Sequence, residues 1–242
     1  MIRIAALVVI AATAALADTP VVIELFTSEG CSSCPPADRL LAEIDGKPLA
    51  PGVEIIALSE HVDYWDDLGW RDKFSSPLFS ARQTEYGQAF RQEGIYTPQA
   101  VINGQAQCLG SDLEAIRRAV REVGLTAKAV VEIKKLTSDT VSFRVANLPA
   151  GTKESDMLLA IAEDGLQSNV AGGENGGRRL RHVAVVRSLT RLGTLDPKKK
   201  EIYTSQARVN LKREWNPSNI KLVLLVQDRT TKRIVGAASL RL

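Results

Sequence analysis

A Cys-x-x-Cys pair, Cys31-Ser-Ser-Cys34, is the feature that most constrains how this chain can fold. It directly follows Val21–Phe26, a nearly continuous apolar run that is typical of a strand buried on both faces. It precedes Arg39–Ile44, where leucine and isoleucine recur at helical spacing. Because the N-terminal end of a helix stabilises a thiolate, this placement predicts Cys31 as the attacking thiol and Cys34 as the resolving thiol.

The cysteine pair also has two non-catalytic interpretations. It can be a static disulfide in a binding module, or it can be half of a zinc site. Zinc is disfavoured because the chain has no second cysteine pair and only two histidines. The position between a strand and a helix favours the redox interpretation over the static disulfide.

Composition excludes several other classes of protein. The 242 residues are 45% hydrophobic and 24% charged, which is ordinary for a globular chain and excludes a disordered or collagen-like one. Three cysteines are too few for a disulfide scaffold. The formal net charge of +3 is too small to indicate a nucleic-acid partner.

Residues 1–17 have the pattern of a signal peptide. Met1–Arg3 is positively charged, Ile4–Ala14 is apolar, and Ala15-Leu16-Ala17 is a small-x-small cleavage signal. The apolar run is much shorter than the roughly 20 residues of a spanning helix, and no later segment is long and apolar enough to span a bilayer. We therefore expect a periplasmic or secreted protein without a membrane span after cleavage, in a compartment where disulfides persist.

The rest of the chain changes character near residue 127. Over residues 18–127, strand and helix patterns alternate, which predicts parallel strand pairing. Over residues 128–242, short strand patterns follow one another, as in the strict alternation of Val141, Phe143 and Val145 with polar or small residues. This predicts an α/β domain followed by a β-rich, sandwich-like domain.

A second motif, Thr97-Pro98, lies just before the strand pattern Ala100–Ile102 and its glycine turn. With the strand, cysteine pair and helix upstream, this order resembles the thioredoxin fold. The resemblance implies that Pro98 forms a cis peptide bond facing the cysteines and that Thr97 offers its backbone to a substrate chain. The alternative is an ordinary trans proline at the first residue of a strand.

The resemblance becomes more specific in five segments. Glu24–Asp38, His61–Trp65, Leu68–Trp70, Gly173–Arg178 and His182–Arg187 resemble a family of exported proteins with a thioredoxin-like N-terminal part, catalogued as domain of unknown function 1223. The resemblance implies an α/β thioredoxin-like N-terminal domain and a redox-type site, and it supplies no substrate. The chain departs from ordinary thioredoxins in its Ser-Ser dipeptide and in the long insert before Thr97-Pro98.

His61 is a further candidate site residue because it closely follows the strand pattern Val53–Leu58. If this strand is parallel to the first one, His61 lies near Cys31, where it can lower the thiol pKa, act as a base or bind a soft metal. Cys31, Cys34 and His61 together are a plausible Cu(I) site, loosely resembling exported copper chaperones. A hydrogen-bonded loop histidine is the alternative.

The remaining candidates have simpler interpretations. We expect Cys108 to be a buried small residue rather than a third redox partner or an intermolecular link. His182 lies among several arginines, which predicts a solvated strand face more than an anion-binding patch, and Gly172–Gly177 reads as a hairpin connection. The resulting functional prediction is an exported thiol–disulfide oxidoreductase without a cofactor, acting on protein thiols or disulfides in the periplasm.

Overall fold

The computed structural model describes residues 18–126 and 128–242. The predicted signal peptide, residues 1–17, lies outside the described residues. The helices are α1 (Cys34–Ile44), α2 (Pro77–Ala89) and α3 (Leu113–Gly124), with a short 3-10 helix at Pro217–Asn219. The strands are β1 (Thr19–Thr27), β2 (Val53–His61), β3 (Gln99–Ile102), β4 (Ala106–Leu109), β5 (Val130–Lys135), β6 (Thr140–Ala146), β7 (Ser155–Glu163), β8 (Leu166–Asn169), β9 (Arg179–His182), β10 (Val185–Leu195), β11 (Tyr203–Arg208), β12 (Ile220–Asp228) and β13 (Ile234–Arg241).

An eight-stranded mixed sheet organises the fold, in the order β13-β12-β7-β10-β2-β1-β3-β4. Strand β2 pairs in parallel with both β1 and β10, whereas the other neighbours are antiparallel. Two smaller sheets, β11-β6-β5 and β8-β9, complete the strands of the described residues. The large sheet therefore contains strands from both halves of the chain.

The predicted fold class, an α/β thioredoxin-like domain followed by a β-rich sandwich-like domain, is wrong. The structure is mostly β, and its three helices within the described residues are short. The physical reason is the pairing of β10 with β2 at Val185 and Ser59, which extends the sheet of the N-terminal half by four strands from the C-terminal half. The division of the chain near residue 127 stays a prediction.

Three apolar clusters pack around the sheets. One contains Leu40, Leu41 and Ile44 of α1 and the apolar face of α3, packed against β1, β2 and β3. A second lies on the other face of the large sheet, beneath α2. The third joins β5 and β6 to β7 and β12. Since α1 packs on β1 and β2, its first turn lies at the carboxyl ends of these two parallel strands, where the candidate site is built.

No helix in the described ranges is long and apolar enough to cross a membrane.

Candidate functional site

Cys31 and Cys34 form a disulfide at the beginning of α1. Strand β1 ends at Thr27, so a short loop carries Cys31 to the helix, and Cys34 is the first helical residue. Both cysteines are 0% exposed, whereas Ser32 and Ser33 between them are exposed. The disulfide thus lies beneath the protein surface.

The Thr97–Pro98 segment lies against the cysteine loop. The Thr97–Pro98 peptide bond is cis, the state that the family resemblance implies. The Ser33 hydroxyl donates to the Thr97 carbonyl oxygen at 3.5 Å, and it lies 3.3 Å from Cys31 Sγ. Trp65 Nε1 donates to the Thr97 hydroxyl at 2.9 Å. The structure therefore brings three predicted site residues together: Cys31, Cys34 and Thr97.

The loop between β8 and β9 covers the cysteine loop from the other side. It is a hairpin connection, as predicted for Gly172–Gly177. The Asn175 side chain is fully buried and donates to the carbonyl oxygens of Glu29 and Cys31, both at 2.9 Å. Glu174 accepts from the Ser32 backbone N–H at 3.0 Å. We call Gly172–Gly177 the cover loop, because it accounts for part of the burial of the disulfide.

His61 lies in a buried polar cluster beside this loop. It is the last residue of β2, it is 0% exposed, and its Nδ1 is 2.6 Å from Asp72 Oδ2. The same Asp72 oxygen accepts from the Glu29 backbone N–H at 2.9 Å. Because Glu29 is two residues before Cys31, the cluster is continuous with the cysteine loop. A direct effect of His61 on the Cys31 thiol stays a prediction.

His182 joins the cluster from the C-terminal half of the chain. Its side chain is 1% exposed, with Nε2 3.2 Å from Glu29 Oε1 and Nδ1 3.9 Å from Asp38 Oδ2. The rings of His61 and His182 are 4.9 Å apart in an edge-on arrangement. The prediction of a solvated face for this histidine is wrong, because β9 alternates and turns Leu180 and His182 inward while Arg179 and Arg181 stay outside.

Asp38 lies one helical turn after Cys34 and accepts a hydrogen bond from the Thr27 hydroxyl at 2.9 Å. Residues four apart share one face of a helix, so Asp38 and Cys34 are on the same face. Burial raises the pKa of Asp38 despite the nearby histidines, which lower it. The site therefore contains a buried carboxyl group that can hold a proton at milder pH than an exposed aspartate.

Three other titratable groups of the cluster, His61, Asp72 and Glu29, have shifted pKa values. Burial lowers the pKa of His61, but the charge of Asp72 and the hydrogen bond to it prevail, so the net pKa is raised. For Asp72, burial raises the pKa and the His61 charge lowers it, with a net result of about 2. Burial also raises the pKa of Glu29, but His182 and other polar contacts lower it below its ordinary value. These shifts favour the ionised forms of Glu29 and Asp72 and the protonated form of His61.

Among the described residues, Glu29 Oε1 and His182 Nε2 approach each other to 3.2 Å without hydrogen-bond geometry, and His61 Nε2 and His182 Nδ1 have no hydrogen-bond partner. The described part of the chain nevertheless contains no group of three His, Cys, Asp or Glu side chains placed to hold a metal ion. Cys108 is the unpaired cysteine; it is half-buried on β4, and burial raises its thiol pKa to about 11. It packs against the first apolar cluster.

Sequence reasoning missed the contributions of Asn175, Asp38 and Asp72 to the site. Asp38 and Asn175 lie in segments of the family resemblance, but no pattern assigns any of the three a role, and each becomes part of the site through contacts between separate segments of the chain. Two tryptophans also hold site residues, because Trp70 Nε1 donates to Glu29 Oε2 at 2.8 Å and Trp65 Nε1 donates to the Thr97 hydroxyl.

A β-rich chain with one mixed sheet and a buried Cys-x-x-Cys disulfide at the start of a helix defines the structural class of this protein. A family model described as "Protein of unknown function (DUF1223)" matches residues 22–227. The chain therefore belongs to the DUF1223 family, which confirms the family resemblance found in the sequence.

Two solved structures have a fold similar to that of this chain. A protein from Agrobacterium tumefaciens is 28% identical and matches with a TM-score of 0.74 over 93% of this chain and 96% of that one. HBP35 of Porphyromonas gingivalis is 17% identical, with a TM-score of 0.65 over 93% of this chain and 76% of that one, and it shows a shared fold. No curated protein matches the chain.

Proposed function

We propose that this protein is an exported thiol–disulfide oxidoreductase that exchanges its Cys31–Cys34 disulfide with protein thiols. The observation that carries the proposal is the position of this disulfide, at the first turn of α1 and next to the Thr97 backbone. A helix start lowers the pKa of a thiol and makes it a better leaving and attacking group. The predicted signal peptide places the exchange in an oxidising compartment.

The exchange conserves electrons between two protein substrates. A substrate thiolate attacks Cys31 Sγ, the Cys31–Cys34 bond breaks, and Cys34 leaves as a thiolate that takes up a proton. A second substrate thiolate then attacks the mixed disulfide and releases the Cys31 thiolate, which is protonated in turn. The substrate dithiol is oxidised and the cysteine pair is reduced by two electrons, which the pair passes to a second protein disulfide. We expect Asp38, on the same face of α1 as Cys34, to exchange the Cys34 proton.

The burial of both cysteines adds a condition to this proposal. A substrate thiol reaches Cys31 only after the cover loop or Trp65 moves, because both sulfur-bearing side chains are fully buried in the oxidised state. We therefore expect slow exchange with small thiols and faster exchange with a protein that displaces the cover loop.

The test is a redox titration of purified protein in glutathione and dithiothreitol buffers, read by alkylation and mass spectrometry. We expect the Cys31–Cys34 bond to open reversibly at potentials above about −300 mV, the range of catalytic disulfides. A Cys31→Ser variant should lose all turnover of a reduced protein substrate, whereas Cys108→Ser should retain it. A bond that stays closed below about −300 mV would identify a structural disulfide and refute the proposal.

Cu(I) handling by the reduced protein is the alternative that uses the same residues. Its support is the preference of Cu(I) for thiolates, which reduction of the Cys31–Cys34 bond would supply. Reduced protein is titrated with Cu(I) against a competing chelator, with His61→Ala as the variant and Cys108→Ser as the control. Binding at micromolar affinity or weaker, unchanged in His61→Ala, would contradict the alternative.

A further inference from the structure

A second candidate site is a cavity that we call the second cavity, and its lining has the properties of an anion site. It has a volume of about 250 Å³ and lies between the beginning of α2, the beginning of β10 and the segment that precedes the 3-10 helix. Three cationic side chains from these separate parts of the chain line it: Lys73, Arg187 and Lys212. No carboxylate is among the side chains that line the cavity in the described residues.

Arg187 is fixed in place before any ligand binds. Its guanidinium lies over the rings of Phe74 and Trp215, at 5.2 and 5.4 Å from their centroids. Its Nη1 forms an ion pair with Glu163 Oε2 at 3.3 Å, without a hydrogen bond. The side chain is 18% exposed, so it is partly desolvated but still open to the cavity. A guanidinium oriented in this way binds an oxyanion at little entropic cost.

Lys73 and Lys212 add two positive charges to the cavity that Arg187 lines. Lys73 lies 4.9 Å from the Phe74 ring centroid, and Lys212 lies 5.7 Å from that of Trp215. Both are exposed, and neither forms an ion pair with a carboxylate of the described residues. Lys73 also donates to the Gln167 carbonyl at 2.9 Å, which holds it near the cavity. Ser188 and the serines at the start of α2 add hydroxyl groups to the lining.

We propose that this cavity binds a small molecule through an oxyanion, either a phosphate or a carboxylate group, with Arg187 as the principal ligand and Lys73 and Lys212 as supporting charges. Planar guanidinium groups recognise both oxyanions through paired hydrogen bonds, which is why the two share one site chemistry. The aromatic faces and the exposed Leu78 at the rim favour an organic ligand with an apolar part. The proposal does not depend on any redox role of the cysteines.

The test is isothermal titration calorimetry of the full mature chain with inorganic phosphate and, separately, with succinate, at constant ionic strength set with chloride. We expect saturable binding of at least one anion at millimolar concentration or below. Binding of phosphate alone or of succinate alone supports the proposal and identifies the oxyanion group. No saturable binding of either anion up to about 10 mM, against the chloride background, overturns it.

Two variants distinguish anion binding in the cavity from nonspecific attraction to surface charge. Arg187→Gln should weaken binding at least tenfold, because a charge-assisted hydrogen bond is lost. Arg187→Gln also leaves the buried Glu163 without its partner and can therefore destabilise the fold. The double variant Lys73→Gln/Lys212→Gln changes only exposed side chains of the cavity, and it should weaken anion binding several-fold. The control Lys198→Gln/Lys199→Gln removes two exposed charges beyond the far end of β10. Equal weakening in the control and the cavity variant refutes the assignment.

Discussion

Replacing Asn175 with alanine is expected to accelerate reduction of the Cys31–Cys34 disulfide. The Asn175 amide makes two hydrogen bonds of 2.9 Å to the cysteine loop, at the carbonyl oxygens of Glu29 and Cys31. A buried hydrogen bond contributes about 0.5–1.5 kcal/mol net, so the variant destabilises the closed cover loop by about 1–3 kcal/mol. Since each 1.4 kcal/mol is a factor of ten, the population of the open loop rises by roughly 5- to 150-fold.

Reduction by dithiothreitol should rise by the same factor, provided that the reductant reaches Cys31 only in the open state and that opening is faster than the chemical step. The rate is measured by acid quenching, alkylation and mass spectrometry of the tryptic peptide that contains both cysteines. Asn169→Ala, an exposed residue of the same hairpin, is the matched control and should reduce at the wild-type rate. If Asn175→Ala also reduces within twofold of the wild type, the cover loop does not control access to the disulfide.

Three further outcomes follow from buried charges. Burial and the charge of Glu24 raise the pKa of Glu60 well above its usual range. The free energy of unfolding of the wild type therefore falls as pH rises from about 4.5 through the folded-state pKa of Glu60. Glu60→Gln should remove this loss, which urea denaturation at pH 5 and pH 8.5 measures. Asp72→Asn should lower the pKa of His61, measured by proton NMR, because the charge and hydrogen bond of Asp72 are lost, and it should destabilise the fold by about 3–5 kcal/mol; an unchanged His61 midpoint would exclude the ion pair. In the non-reduced native protein, iodoacetamide should label Cys108 alone, with a rate that rises toward about pH 11, because burial disfavours its thiolate; rapid labelling at pH 7 would contradict this.

Local structure in the N-terminal half was predictable from hydrophobic pattern. Val21–Phe26 and Val53–Leu58 lie in β1 and β2, and they pair in parallel as expected. The pairing of β10 with β2 was not predictable, because periodicity identifies a strand and its buried face but not its neighbour. The open edge of β2 accepts β10 at Val185, and this contact overturns the two-domain fold class.

The site was predictable only where a motif marks it. The cysteine pair and Thr97-Pro98 are recognisable in sequence, and the structure brings them together. Asn175 and His182 lie in segments of the family resemblance, but nothing in those segments predicts a role at the cysteines, since each acts through contacts with the cysteine segment, which is far away in the chain. For His182 a usable signal existed: the alternation Arg179-Leu180-Arg181-His182 places the histidine on the same face as an apolar residue.

The position of Asn175 and His182 also shows why the cysteine site cannot belong to the N-terminal half alone. Without the C-terminal half, the Glu29 carboxylate would lose its contact with His182. The carbonyl groups of Glu29 and Cys31 would also lose the hydrogen bonds that the buried Asn175 side chain donates. The same half supplies β10, which covers the edge of β2 and presents Arg187 to the second cavity. Phe74 joins these two places physically, because its ring packs 5.4 Å from His61 and 5.7 Å from His182 on one side and lies under Arg187 on the other. The two sites are therefore neighbours across a single side chain.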